Sequence, residues 1–352
     1  MNILYITFID FHKAGSGSTV RPHKMYDAFK ALGHEVKLLE CQQNKRALRK
    51  QRVQEVLDWL SDHTPDLCYI EPPTGPFFNR IDLTLLKRVA KKNIPIALFY
   101  RDVFWKFHEH WEVGTLKKKV LIHMHKRDLR WFERYCNKVY FPSESVKVLF
   151  DGSRLREMDL LPPGCTIVQN EQRPKLPECI YVGGVSEAYG ANLLLAAFDR
   201  LNGEEEKVHL NLVTSKDDAQ NIEERFLGKP WLSLHHAHGD KELRKIYERA
   251  NLAIIPFKKT RSMNLAIPIK LFEYVGYGLP MIATDCVEIE KLINKEKIGI
   301  TCNDTPEDIA LAVEQFYQDK DLQDRLYANV EAFAKKNKWE DRAQCVIDDL
   351  MK

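Results

Sequence analysis

Short apolar, β-branched runs alternate with amphipathic stretches along the whole of this chain. In the first half the runs NILYITF, EVKLLE, LCYIE, IALFY and KVYFP predict five strands. Helical patterns fall between them, MYDAFKALG and VQEVLDWLSDH among them, and Gly33 stops the first of these. Strands that are apolar throughout, rather than alternating, belong to a parallel sheet covered on both faces. After LLPPG the segment from Cys165 to Pro177 loses its periodicity and carries two prolines, as a linker does. The pattern then restarts with ECIYVGG, a helix at NLLLAAFDRL, and strands at VHLNLVT, LSLHHAH, LAIIPF, PMIATD and GITC. TPEDIALAVEQFYQD opens with Thr305 and Asp308 in a capping-box-like arrangement, and the rest of the chain is helical.

The reading is an α/β chain with two Rossmann-like domains, 1–168 and 169–335, and a helical C-terminal tail. The tail, 336–352, is expected to pack back on the N-terminal domain. Length agrees, because single hydrophobic cores stop growing near ~250–300 residues. Parallel sheets bind ligands at the carboxyl ends of their strands, so two joined by a linker are expected to face each other across a cleft.

Composition excludes several classes. An apolar fraction of 44% with 29% charged residues is that of a globular chain, not a disordered one. No run approaches the ~18 apolar residues of a membrane span. The opening MNILYITFID lacks the basic start and cleavage site of a signal peptide and reads as a first buried strand. The cysteines show no CxxC pair and no zinc spacing, and are expected to be reduced core residues of a cytoplasmic protein. Charge is divided unevenly. Residues 1–150 hold 26 Lys and Arg against 16 Asp and Glu, and residues 151–352 hold 27 against 34. A basic first half suits an anionic partner, although a solvated basic face would account for it too.

Three loops carry candidate chemistry. AGSGSTVRP follows the first strand. Gly15 and Gly17 allow close backbone approach, Ser16 offers a hydroxyl and Arg21 a charged fork, and a capped turn is the plainer alternative. VGGVSEAYG, with Gly183 and Gly184, stands at the same place in the second half, before a helix whose amides suit an anion. The strongest signal is IPFKKTRSMNLAIPIKLFEYVGYGLPMIATD. A strand ends at Phe257, a basic loop holds Lys258, Lys259 and Arg261, and Pro268 starts a helix with Lys270 and Glu273 in its first turns. A helix amino end favours a diphosphate, Lys270 adds a full charge, and a carboxylate at Glu273 accepts from two ribose hydroxyls. A surface Lys–Glu pair would be the bland account.

PIKLFEYVGYGLPMIATD resembles the nucleotide-sugar segment of family-4 retaining glycosyltransferases of the GT-B fold, the glycosyl transferases group 1. AGSGSTVRP, FPSES (Phe141–Ser145), LPPG (Leu161–Gly164) and YVGGVSEAYGANLLLAAF resemble further landmarks of that family, in order, over nearly the whole chain. The resemblance implies retention at the anomeric carbon, a nucleoside-diphosphate sugar as substrate, no metal and no other cofactor. Three departures stand out. Leu265 occupies the place of the family's first glutamate, which moves donor orientation to backbone amides of Asn264, Leu265 and Ala266. Val185, Ser186, Glu187 and Tyr189 stand where the family has an Arg and a Lys, so Lys270 with Arg261 carries more of the diphosphate charge. FYRDVFW replaces a common histidine with Arg101 and Asp102. Asp102 can take or orient an acceptor proton, or cap a helix.

Of the histidines, the i, i+2 pairs His108/His110 and His123/His125 point to different helix faces and do not suit a metal. His235, His236 and His238 end a second-half strand, either bordering a nucleotide base or structural. Residues 104–135 combine Trp105, Trp111 and Trp131 with a dense set of Lys and Arg. Leu116, Val120, Leu121 and Met124 are candidate apolar positions of a helix lying on an anionic membrane, or packing on the first sheet. The expectation is a metal-independent, cytoplasmic hexosyltransferase at the inner face of the cell membrane. It moves a sugar to a glycan or lipid-linked acceptor in surface polysaccharide synthesis, with no nucleic-acid partner. A sugar-nucleotide epimerase and a catalytically degenerate partner subunit are the alternatives.

Overall fold

A computed structural model describes residues 1–11, 17–101, 103–110, 113–168, 176–203, 205–237 and 239–352. They divide into two compact units, Met1–Pro163 with Trp339–Lys352, and Gly164–Lys338.

The first unit is built on six parallel strands, β1 (Asn2–Ile6), β2 (Glu35–Leu39), β3 (Leu67–Ile70), β4 (Ile96–Phe99), β5 (Lys138–Phe141) and β6 (Met158–Leu160), in the order β2-β1-β3-β4-β5-β6. The inner strands β3, β4 and β5 are buried at every position, which is why their sequences run apolar without alternation. Edge strand β2 alternates instead. The sixth strand is one that periodicity does not announce. Its three residues, MDL, are too few to show a period, and pairing of Met158, Asp159 and Leu160 with β5 defines it. The helix around MYDAFKA extends further back than its pattern, over Gly17–Ala31. It ends at Gly33 (φ 84°), whose amide bonds back to Lys30 while that of His34 bonds to Phe29.

The terminal helix Trp339–Leu350 belongs to this first unit. Trp339, Ala343, Val346 and Ile347 are buried, the Tyr140 hydroxyl donates to Asp349 (2.8 Å), and Arg342 Nε donates to the Pro163 carbonyl (3.1 Å).

The second unit repeats the design with β7 (Glu178–Val182), β8 (His209–Val213), β9 (Leu232–His235), β10 (Leu252–Ile255), β11 (Met281–Thr284) and β12 (Gly299–Cys302), all parallel, in the order β12-β11-β10-β7-β8-β9. Alternate residues feed two cores. Tyr181, Leu210, Leu212 and Ile254 pack on one face, against Leu194, Phe198 and Val313. Ile180, Ala253 and Ile255 pack on the other, against Leu271, Phe272 and Val275. Thr305 caps helix Pro306–Gln318, its Oγ1 accepting from the Asp308 amide at 3.1 Å. From β7 the chain steps outward through β8 and β9, and from β10 through β11 and β12 in the opposite direction. The switch point lies at the carboxyl ends of β7 and β10, where such sheets bind ligands.

Candidate active site

The loops that leave β7 and β10 interlock. Gly190 sits in the left-handed region (φ 67°) at the start of helix Ala191–Asn202, and a Cβ there would overlap the Pro256 carbonyl. The Lys258 amide donates to the Ala188 carbonyl (3.1 Å), tying the two loops together. The Gly183 amide is taken by Val213 (2.9 Å), and the Gly184 carbonyl accepts from the Tyr181 hydroxyl (2.6 Å).

Pro268 stands at the N-cap of helix Ile269–Gly276, so Lys270 and Glu273 leave its first turns on one face. Lys270 Nζ reaches back to the switch point, into the space a Gly183 Cβ would fill. The side chain as a whole is half-buried, but Nζ is shut off from solvent and has no hydrogen-bond partner among the described residues. It lies 4.5 Å from the Tyr181 ring centroid, 5.2 Å from that of Phe257 and 5.5 Å from that of Tyr189. Burial pulls its pKa from 10.5 down to about 7, against the opposing pull of the Glu273 carboxylate. Glu273 is half-buried, and its charge helps to raise the pKa of the buried Tyr247 phenol, after burial itself. A buried cation with no hydrogen-bonded anion among the described residues, and a carboxylate one turn on, can take a phosphate and a neighbouring hydroxyl-bearing group.

The basic loop is otherwise occupied. Lys259 Nζ pairs with Asp285 (2.6 Å), while its amide donates to Asp304 (3.1 Å). Arg261 is exposed at the start of the short helix Arg261–Leu265, capped by Thr260, whose Oγ1 accepts from the Met263 amide (3.2 Å). Two of the backbone amides named for donor orientation bond within this helix. The Asn264 amide donates to Thr260 O (2.9 Å) and that of Ala266 to Met263 O (3.2 Å), because this stretch is a closed turn. Those two amides are spent on the backbone, and Leu265 closes the same turn. The Asn264 side chain accepts from the Val287 amide (3.3 Å).

In the first unit, Gly17 opens helix Gly17–Ala31, and Arg21 is buried in it. Arg21 Nε lies 3.4 Å from Glu71 Oε1 and its guanidinium 3.5 Å above the Phe99 ring. Among the described residues none of its three nitrogens makes a hydrogen bond, and neither does Glu71 Oε2. Tyr69 donates to Glu71 Oε1 (3.1 Å). Glu71, directly after β3, is a buried carboxylate that the sequence reading passed over; its only signal was a charge closing an apolar strand. Arg101 follows β4, half-buried, close enough to act electrostatically on Tyr5. Gly15, Ser16 and Asp102 lie outside the described residues.

Three of the singled-out histidines are engaged locally. His235 Nε2 bonds Asn211 Oδ1 (3.0 Å) and His236 Nδ1 the Thr214 carbonyl (3.0 Å), while His238 lies outside the described residues. His125 stacks on Trp105 at 5.3 Å, and burial pushes its pKa down to about 4.

Comparison with known proteins agrees with this fold. Residues 177–319 match the family model of glycosyl transferases group 1. No curated protein matches the chain. Among solved structures, sucrose-phosphate synthase (tll1590) from Thermosynechococcus elongatus is similar over 99% of this chain and 98% of its own, at 14% identity and a TM-score of 0.68. Anabaena Alr3699/HepE, in complex with UDP, is similar over 100% of both chains at 14% identity and a TM-score of 0.65. WaaG, a glycosyltransferase involved in lipopolysaccharide biosynthesis, is similar over 99% of both at 15% identity and a TM-score of 0.66. Residues 177–319 thus match the glycosyl transferases group 1, and the chain over its whole length has the GT-B fold.

Proposed function

We propose that the protein is a retaining, metal-independent hexosyltransferase that moves a sugar from a nucleoside-diphosphate sugar to a glycan or lipid-linked acceptor, in surface polysaccharide synthesis. The observation that carries this reading is the Lys270 ammonium, one helical turn from Glu273. It is buried at the switch point of the second sheet, with no hydrogen-bond partner among the described residues. Lys270 neutralises the diphosphate and stabilises the negative charge that grows on it as the glycosidic bond breaks. Glu273 accepts from the ribose hydroxyls, and Arg261, exposed at the start of helix Arg261–Leu265, adds a second positive charge. Asp102 and Arg101, after β4, are assigned to the acceptor side. The solved neighbour with UDP bound supports a nucleotide-sugar donor, and the neighbour involved in lipopolysaccharide biosynthesis supports a surface glycan.

Helix Thr115–Tyr135 supports docking on an anionic membrane. Only His125, Asp128 and Phe132 are buried in it, whereas Leu116 is 78% and Val120 51% exposed, beside Lys117 and Lys119. Phe104 is exposed as well, while Trp105 is buried and takes no part. No described helix is long and apolar enough to cross a membrane. Such a face adds apolar insertion to roughly 1 kcal/mol per basic residue near the surface.

Product analysis with UDP-, GDP- and ADP-hexoses and a set of glycan and lipid-linked acceptors, with and without chelator, tests the reaction. Inverted stereochemistry or activity lost to the chelator overturns the mechanism. Liposome sedimentation tests the surface: salt-sensitive binding to anionic vesicles, lost in L116D/V120D, is expected. Equal recovery in the supernatant with anionic and neutral vesicles at low salt refutes it.

A further inference from the structure

Three aromatic ring faces surround Lys270 Nζ. Tyr181 leaves β7, Phe257 follows β10, and Tyr189 closes the recess from a short turn, Glu187–Tyr189. Tyr181 is locked by its bond to the Gly184 carbonyl, and Tyr189 stands edge-on to Phe257 with ring centroids 5.5 Å apart. Tyr181 and Phe257 are buried, whereas Tyr189 is 38% exposed and forms the outer wall. The titratable groups that face this recess are few. Glu273 comes from the lysine's own helix, Asp218 stands beside Gly184 from helix Lys216–Ala219, and the Tyr274 hydroxyl accepts from the Val182 amide (3.0 Å). None of them hydrogen-bonds Nζ.

Ring faces attract an ammonium but replace neither its hydration nor a counter-ion. A lysine that bound phosphate from open solvent would be protonated before and after binding, with no proton exchanged near neutral pH. Here burial has already brought the group to the point of losing its proton, at about 7. A phosphate set against Nζ supplies the missing charge and restores the protonated form.

We propose that Tyr181, Tyr189 and Phe257 are positioning residues that hold Lys270 without a counter-ion, so that a nucleoside diphosphate bound there brings a proton onto Nζ. This rests on the reading of Lys270 as the ligand of the donor diphosphate. Below about pH 7 the lysine is charged in the free protein and binding takes up no proton. Above it the free protein holds the neutral amine, each bound diphosphate takes up one proton, and affinity falls about tenfold per pH unit.

The test is calorimetric titration with UDP, ADP and GDP at pH 8.5, in two buffers of different ionisation enthalpy. At this pH a terminal phosphate, with its second pKa near about 6, has no proton of its own to exchange. The expected result is uptake of close to one proton per ligand bound. Tyr189→Phe keeps that uptake. Tyr189→Leu opens the recess to water and lowers it, flattening the pH dependence of affinity. Lys270→Arg, permanently charged, binds with no uptake. Binding with no proton uptake and constant affinity from pH 6.5 to 9 overturns the inference and leaves the diphosphate site standing. Failure of all three nucleotides to bind, with circular dichroism showing a folded protein, overturns the site and the inference together.

Discussion

Lys270→Met makes the protein more stable and unable to hold its donor. Nζ has three rings around it and no hydrogen-bond partner among the described residues, so the folded chain carries the cost of dehydrating an ammonium that the unfolded chain leaves in water. A pKa of about 7 in place of 10.5 measures that cost. At ~1.4 kcal/mol per pH unit, it sets a ceiling of roughly 4–5 kcal/mol. Local relaxation and water entry reduce such penalties, and we expect a gain of about 2 kcal/mol. Methionine is unbranched and of similar length, and its sulfur packs well on aromatic rings. The sign with pH is fixed. Because the lysine's pKa is depressed on folding, its destabilisation is complete below about pH 7 and fades as pH climbs toward 10.5. The advantage of Lys270→Met is therefore largest at pH 6–7 and small by pH 10. Thermal melts of both proteins across that range measure it, with each kcal/mol worth roughly 2–4 °C for a unit of this size. A variant that melts below wild type at pH 6, or whose advantage grows with pH, refutes the reading of an uncompensated buried cation.

Three further outcomes follow from the same geometry. Gly183→Ala puts a methyl group where Lys270 Nζ lies, so UDP affinity measured by calorimetry falls about tenfold or more while circular dichroism stays that of wild type. Glu273→Ala removes the acceptor for the ribose hydroxyls and weakens UDP binding by about 1.5–3 kcal/mol, and unchanged affinity in the same titration rejects the assignment. In the first unit, Arg49 is fully buried, bonded to Asp82 (2.9 Å) and to the Thr7 and Cys41 carbonyls (2.8 and 3.1 Å). Asp82→Ala strands that guanidinium and lowers stability by about 3–5 kcal/mol in denaturant unfolding, whereas an isolated loss of donor binding would contradict a structural role.

The sheets were legible because their inner strands are buried on both faces and therefore spell themselves out as apolar runs. β6 was not, since three residues owe their strand to pairing with Val139, Tyr140 and Phe141 of β5 rather than to any period of their own. The Lys270–Glu273 segment was legible because i, i+3 spacing after a proline puts both side chains on one face of a helix start. What spacing does not carry is the recess around Nζ. Tyr181 reads as a strand residue, Phe257 as the end of another and Tyr189 as a loop aromatic, and they meet only because β7 and β10 are neighbours in the sheet. Glu71 was hidden for the same reason, its meaning depending on Arg21, which is remote in sequence and 3.4 Å away in space.

The loop after β7 departs from the family it resembles by running from Val185 to Tyr189 without the Arg and Lys that the resemblance implies there. Removing two cations from a diphosphate site would leave little to bind it, unless charge arrives from another element. In the function proposed above, Lys270 supplies that charge from the helix after β10, and its Nζ lies where a side chain at position 183 would stand. The substitution and the glycine therefore depend on each other. A cation restored at Tyr189 would stand within a few ångströms of Nζ, and two like charges in one dehydrated recess repel strongly. Tyr189 is better understood as the wall that makes one lysine sufficient than as the mark of a site that has decayed.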